Sequence, residues 1–358
     1  MTRAAEARID LSALQSNLQR VRSAAPSSKI MAVIKANGYG HGMTRVARAL
    51  ATADAFGVAC IEEAVLLRDA GITQPILLLE GFYDTAELDP VCEYKLSVVV
   101  HQPYQIDILE NSTVSAPVHV WVKIDSGMHR LGFDAQHVAH AYRRLQACSK
   151  VAKPLRLMTH LADADNRHED VTRRQVDCFN ATVSGYKDER SIANSAAIIA
   201  WPQTHVEWVR PGIMLYGISP FSDSIGIAED LHPVMSFTSK LIAINKFKKG
   251  DRIGYGGEWE CPEDMTVGVV AVGYGDGYPR GVSSGTPVVI NGQRIPVVGR
   301  VSMDMITVDL RGMTSARVGE TVTLWGNDLP VEEIAKCADT IPYELVCRVT
   351  QRVRFVEN

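Results

Sequence analysis

The chain reads as an α/β protein: a closed (β/α)8 barrel of the TIM type over residues 1–231, followed by a mostly β domain over 232–358. Three observations predict this. Eight short apolar runs alternate with helical stretches up to about residue 215, the pattern of a parallel sheet with helical crossovers. Nearly every run ends on a polar or reactive residue, as expected when barrel strands deliver side chains to one rim. Beyond about residue 230 helical spacing gives way to strand-like runs joined by Gly, Pro and Asn turns.

The eight runs are KIMAVI (29–34), FGVAC (56–60), PILLL (75–79), LSVVV (96–100), VHVWVKI (118–124), LRLMT (155–159), SIAN (191–194) and EWVRPGIML (207–215). Between them, DLSALQSNLQRVRSAA (10–25) puts Leu11, Leu14, Leu18 and Val21 on one helix face, with Asp10 as its N-cap. DAQHVAHAYRRLQACS (134–149) and EDVTRRQVDCFNATVSGY (169–186) have the same spacing. An open sheet would use a single crevice, whereas a closed barrel uses every strand end. Lys35, Glu80, His101, Lys123 with Asp125, His160, Asn194 with Ser195, and Arg210 all stand at such ends, which favours closure. In the second domain the strand-like runs are SFTSKLIAI (236–244), MTVGVVAVGY (265–274), TPVVING (286–292), IPVVGRVSMDMITVDL (295–310) and ETVTLW (320–325). One short helix, VEEIAKCA (331–338), follows them.

Bulk properties exclude several classes. The 358 residues are 46% hydrophobic and 22% charged, a globular composition. Runs such as PILLLE and LSVVVH are far too short to span a bilayer, and MTRAAEARID has no signal-peptide core, so a cytoplasmic protein is expected. Seven cysteines form no CxxC pair, which favours reduced thiols without structural zinc. A net charge of −4 leaves no basic stripe for nucleic acid, and KFKKGDR (246–252) reads as a solvated turn.

The stretch VIKANGYGHG (33–42) carries the chemistry. A lysine at a strand end is ordinarily a solvated surface residue. Here Lys35 follows an apolar run and precedes small, polar and aromatic residues. A desolvated lysine loses its proton readily and becomes a nucleophile suited to Schiff-base formation. The aldehyde could belong to a substrate, as in an aldolase, or to pyridoxal phosphate. NSAA (194–197) and RPGIMLYG (210–217) read as turns opening onto helices, whose N–H groups could bind an anion; alone, NSAA is a weak signal that an ordinary N-cap would also give.

In this setting VIKANGYGHG resembles the cofactor-attachment signature of the alanine racemases. VKIDSGMHRLGF (122–133), THLADAD (159–165), IANSAA (192–197), WVRPGIMLYG (208–217), RIGYGG (252–257), VGYGDGYPR (272–280), VGRVSMDM (298–305) and IPYE (341–344) resemble further blocks of that family, in its order. The resemblance spans nearly the whole chain. It implies a pyridoxal 5'-phosphate-dependent racemase of alanine, with no metal, working as a homodimer whose active sites combine both subunits.

The resemblance also implies roles. Lys35 would hold the cofactor and serve as one catalytic base; Tyr255, from the partner subunit, would be the other. Racemisation requires both, because a proton leaves one face of Cα and returns on the opposite face. A tyrosine with a pKa of about 10 is a poor base at neutral pH, and the family pattern puts His160 and Arg210 nearby to assist it. Arg210 would face the pyridine nitrogen. Arginine has no acceptor, so it cannot stabilise a protonated ring, and transamination should be discouraged. Tyr39, Ser195, Gly212, Ile213 and Tyr343 match phosphate-contacting positions, with Asn194 beside them. Arg130 and Met303 match contacts to the substrate carboxylate. Lys123 matches a lysine often carbamylated, with a buried Lys123–Asp125 pair as the plain alternative. Tyr274, Arg280, Arg300 and Asp304 would line the access route.

Competing readings are a racemase of serine or another small amino acid, and a decarboxylase of the same architecture. A decarboxylase usually sets a carboxylate against the pyridine nitrogen and uses a late catalytic cysteine, whereas Cys337 and Cys347 lie in helical stretches without glycine-rich flanks. A non-catalytic cofactor carrier of single-barrel type would lack the β domain.

Overall fold

The computed structural model describes residues 3–168 and 170–358. Two compact units emerge. One comprises Gln15–Leu215 with Pro220–Asp223; the other holds residues up to Leu14, Tyr216–Ser219 and Ser224–Asn358.

The chain begins with a strand absent from the sequence reading, β1 (Glu6–Ile9). Helix α1 (Leu11–Ala24) follows. Asp10 caps it as expected, its carboxylate accepting from the N–H groups of Ser12 (2.9 Å) and Ala13 (3.0 Å). Leu14, Leu18 and Val21 are buried, each contributing about 1.5–3 kcal/mol of apolar burial.

The first unit is the expected closed barrel. Its strands are β2 (Lys29–Val33), β3 (Ala55–Val58), β4 (Ile76–Leu78), β5 (Ser97–Val100), β6 (Val118–Lys123), β7 (Val151–Met158), β8 (Glu189–Ser191) and β9 (Trp208–Val209). Each pairs in parallel with the next, and β9 closes on β2 through Lys29↔Trp208 and Ile30↔Val209. Met31, Ala55, Leu77, Val99, Trp121, Met158 and Trp208 form a packed core. The Trp121 and Trp208 rings meet edge to face at 5.8 Å.

The last two runs differ in detail from expectation. EWVRPGIML yields only two strand residues. Pro211 has no N–H for the ladder and restricts Arg210 before it, so the chain leaves the sheet and enters a tight turn at Ile213–Tyr216. In the SIAN region the strand ends at Ser191, and Asn194 caps the helix Ser195–Ala200 by accepting from the Ala197 N–H at 3.0 Å. The helix expected from Glu169 is found over Val171–Val183; Glu169 itself lies outside the described residues.

The second unit is mostly β. Its further strands are β10 (Met235–Phe247), β11 (Arg252–Ile253), β12 (Trp259–Glu260), β13 (Met265–Val270), β14 (Pro287–Ile290), β15 (Gln293–Val298), β16 (Ile306–Asp309), β17 (Thr321–Trp325) and β18 (Arg354–Glu357). Pairing runs β13–β16–β15–β14–β17–β10, and β10 returns to β13, so the long β10 closes the circuit. β1 belongs to this unit, antiparallel to β10 and parallel to β18. The run at 295–310 is broken into β15 and β16. Gly299, at φ 73°, turns the chain out of the sheet, and the loop it opens carries Arg300, Met303 and Asp304.

Candidate active site

β2 delivers Lys35 to the barrel rim, where the backbone reverses hand. Ala36, Asn37, Gly38 and Tyr39 take φ values of 52°, 53°, 63° and 51°, a left-handed turn closed by the Gly38 N–H donating to the Ile34 carbonyl at 2.8 Å. For residues other than glycine this conformation costs about 1–2 kcal/mol each, and such strain persists only where surroundings over-determine it. Three side chains supply that support. Asn37 Oδ1 accepts from the Met43 N–H at 3.0 Å. His41 Nδ1 lies 2.8 Å from the Tyr39 carbonyl. Glu63 accepts from the Ala36 N–H at 2.7 Å and, with its other oxygen, from the Ala59 N–H at 2.8 Å. His41 is fully buried, which pushes its pKa down to about 4, so it is neutral at pH 7.

The same turn carries Tyr39 across the rim to Gly212. A Cβ at position 212 would stand 2.6 Å from the Tyr39 hydroxyl, so only glycine admits that approach. Ser195 joins them, its hydroxyl oxygen accepting from the Gly212 N–H at 2.8 Å and from the Met214 N–H at 3.4 Å. Two hydroxyls therefore converge beyond β8 and β9, one of them held by the Gly212 N–H, with Ile213 next along the chain. This is a donor set suited to a phosphate monoester.

The rim is strongly cationic. Arg210, 4% exposed, donates to the Thr159 carbonyl at 2.5 Å and to the Ser191 hydroxyl; its Nη2 lies 3.4 Å from His160 Nδ1. Burial lowers its pKa to about 10, leaving it charged at neutral pH. His160 is pushed well below its ordinary value by burial and then by Arg210, Lys123, Arg130 and Lys35. It is a neutral imidazole. Lys123 falls to about 8 through burial and the repulsion of Arg210, Arg130 and Lys35. Asp125 offsets this only slightly. Its carboxylate accepts from the Gly127 and His129 N–H groups, both at 3.0 Å, and pairs with the His129 ring. The plain alternative of a tight Lys123–Asp125 pair is not what forms. Arg130 lies exposed at the edge of the cluster. Cations gathered with an anion-type donor set, and without an adjacent paired carboxylate, fit a ligand carrying several negative charges.

The remaining sequence candidates lie on the β unit. Tyr255 opens a glycine-rich turn and is 70% exposed. A Cβ on Gly254 or Gly256 would come within 3.6 Å of Arg300, so this turn lies against that residue. Arg300 forms an ion pair with Glu258, and Arg280 also lowers the Glu258 pKa. The Tyr274 N–H donates to the Ser302 carbonyl at 3.1 Å and the Gly275 N–H to the Met303 carbonyl at 2.9 Å, zipping two loops together. Asp304 pairs with Arg352. Tyr343 lies in the helix Pro342–Cys347, the helical stretch expected around Cys347.

Sequence reasoning missed Thr159 and Ser191, which hold Arg210, and Glu63. Thr159 and Ser191 closed or opened apolar runs and looked like strand residues. Glu63 had a signal: it is the third helical residue after β3, where a carboxylate can reach back to the preceding backbone.

Comparison with known proteins identifies the family. The alanine racemase N-terminal domain family matches residues 9–220, and the C-terminal domain family matches residues 234–357. An alanine racemase of Nitrosococcus oceani is 54% identical over 348 residues, covering 97% of this chain and 98% of the relative. One from Vibrio cholerae is 52% identical over 353 residues, covering 99% and 98%. Among solved structures, the biosynthetic alanine racemase of Pseudomonas aeruginosa superposes with a TM-score of 0.97 at 40% identity, each chain covered completely. The chain belongs to the alanine racemase family.

Proposed function

We propose that this protein interconverts L- and D-alanine, using pyridoxal 5'-phosphate held at the barrel rim and a second copy of the chain to complete each site. The observation that carries this reading is the convergence of Lys35, the Tyr39–Ser195–Gly212 cradle and the buried Arg210 on one cation-rich rim. Bound there, the cofactor draws electrons from the substrate and so acidifies its Cα–H bond.

The chain's own residues do the rest. Lys35 anchors the cofactor through its amine and, when released, takes or returns the Cα proton on one face. Tyr255 of a second copy does so on the opposite face. Tyr39, Ser195 and the N–H groups of Gly212 and Ile213 hold the phosphate, with Asn194 capping the helix behind them and Tyr343 adding a hydroxyl. Arg210 stays charged, locked by Thr159 and Ser191, and offers no acceptor to a protonated ring nitrogen. His160 remains neutral beside it. Arg130 and the Met303 N–H receive the substrate carboxylate. Lys123, with a pKa of about 8, keeps a fraction of neutral amine whose nitrogen could add CO2 and release a proton to solvent, and the resulting carbamate would orient Arg130. Tyr274, Arg280, Arg300 and Asp304 line the access route.

Exposure of Tyr255, Tyr274 and Met303 on the β unit supports a homodimer in which this face is covered. No helix among the described residues is long and apolar enough to cross a membrane; a cytoplasmic site, supplying D-alanine for peptidoglycan or consuming it, completes the reading. The test is incubation of purified protein with L-alanine and chiral detection of D-alanine, alongside borohydride fixation of the cofactor. Racemisation with Lys35 carrying the fixed cofactor is expected. A colourless protein that neither racemises alanine nor fixes the cofactor overturns the proposal.

A further inference from the structure

We infer that Glu63 is a positioning residue for Lys35, acting by holding Ala36 in the left-handed turn. The inference rests on the function proposed above but arises from separate observations. β2 and β3 pair as far as Val33↔Gly57, and the Ile34 N–H still donates to the Gly57 carbonyl. One residue later the backbone of Lys35–Tyr39 departs, and no strand partner is left to fix it. The Glu63 carboxylate takes over at that point. One oxygen accepts from the Ala36 N–H and the other from the Ala59 N–H, so a single rigid group bridges the two strand ends.

Ala36 and Tyr39 are the two residues of this turn least suited to its conformation, and Tyr39 is tethered through its side chain at Gly212. Asn37 has a short polar side chain that tolerates φ above zero, and Gly38 has no Cβ. Ala36 has neither advantage, and its methyl group is exposed, so packing does not hold it. Two bonds hold it: its carbonyl accepts from the Gly40 N–H at 3.0 Å within the turn, and its N–H donates to Glu63 outside it. Because Lys35 precedes Ala36 directly and Tyr39 closes the same turn, relaxation at Ala36 shifts the Lys35 amine relative to the Tyr39 hydroxyl at Gly212. That separation is what a ligand spanning both groups must match.

The experiment compares wild type, Glu63→Ala, Glu63→Gln and the double variant Glu63→Ala/Ala36→Gly as purified proteins. Three readouts apply: hydrogen exchange across residues 35–42, borohydride fixation of pyridoxal phosphate on Lys35, and kcat and KM for alanine. Glu63→Ala should exchange faster in that segment, fix the cofactor more slowly, and lose about 10- to 100-fold in kcat with KM changed less than about threefold. Glu63→Gln, which keeps one acceptor oxygen, should fall between; it also carries the test if Glu63→Ala does not fold. Glycine at 36 adopts the turn freely, so the double variant should recover much of the fixation rate and kcat. A merely structural role for Glu63 would not be rescued in this way. Wild-type exchange and fixation in Glu63→Ala, or no recovery in the double variant, overturn the inference. A wild type that fails to racemise alanine overturns the proposed function instead, and exchange and fixation still decide the role of Glu63.

Discussion

At the barrel rim Arg210 is 4% exposed and bonded to Thr159, Ser191 and His160, whereas Tyr255 on the β unit is 70% exposed at the start of a glycine-rich turn. The rim's polar groups are fixed by side chains and backbone of their own unit, and burial lowers the pKa values of Arg210, Lys123 and His160. On the β unit, Tyr274 and Met303 lie on loops bonded to each other, and Tyr255, Tyr274 and Met303 are 70%, 40% and 52% exposed. The rim is preorganised by its own unit, whereas these β-unit side chains are left exposed. Under the proposed function, which needs one base on each side of a carbon, one base would come from the built pocket and the other from a second copy of the chain.

The largest effect expected is at Lys35. Lys35→Ala removes both the anchor and one proton carrier and should lower alanine racemisation by about 10⁴-fold or more, with borohydride-fixable cofactor lost. Tyr255→Phe should cost about 10²–10⁴-fold while leaving cofactor fixation intact. Mixing Lys35→Ala chains with Tyr255→Phe chains, then allowing re-pairing, sharpens the comparison. If sites are shared between two copies, activity should return to as much as about a quarter of wild type by random pairing. No recovery after verified exchange of chains would mean that each copy uses its own tyrosine.

Arg210→Glu tests the rim alone. It places an acceptor where the buried arginine offers none, and should lower racemisation by about 10²-fold while raising pyruvate formed per D-alanine. An unchanged product ratio would remove Arg210 from the control of side reactions. The smallest effect on activity is expected at His41, where the readout is stability. Its folded-state pKa of about 4 lies below the ordinary 6.5, so its contribution is complete above about pH 6.5 and is lost as pH falls towards 4. Denaturant unfolding of wild type should show up to about 3 kcal/mol of this loss, and His41→Gln should show a shallower slope. Equal slopes would show that other groups govern acid sensitivity.

Much of the barrel was legible because its strands are short, apolar on both faces and separated by amphipathic helices. β5, SVVV, has Val98, Val99 and Val100 fully buried and could scarcely be anything else. The rim residues were legible because they end those strands. β1 was not: EARI is four residues long, and its neighbours in the sheet lie more than two hundred positions away. The division of 295–310 turned on Gly299, a positive-φ residue followed by the polar Arg300, Ser302 and Asp304. The left-handed turn after Lys35 was only half legible. Its glycines announced close approach, but nothing local shows that Ala36 would share their conformation, because its support comes from Glu63 on another element.

The pairing of β1 with β18 bears on how the protein is made. Glu6–Ile9 lies beside Arg354–Glu357, residue against residue, so strands from opposite ends of the chain are neighbours in one sheet. The barrel, by contrast, is built almost entirely from the continuous segment Gln15–Leu215. During synthesis from the N-terminus the barrel can therefore close while the ribosome is still translating the β unit. β1 must wait, exposed, for β10 and then β18 to arrive. A chain whose barrel has closed therefore still lacks the sheet that β1 completes.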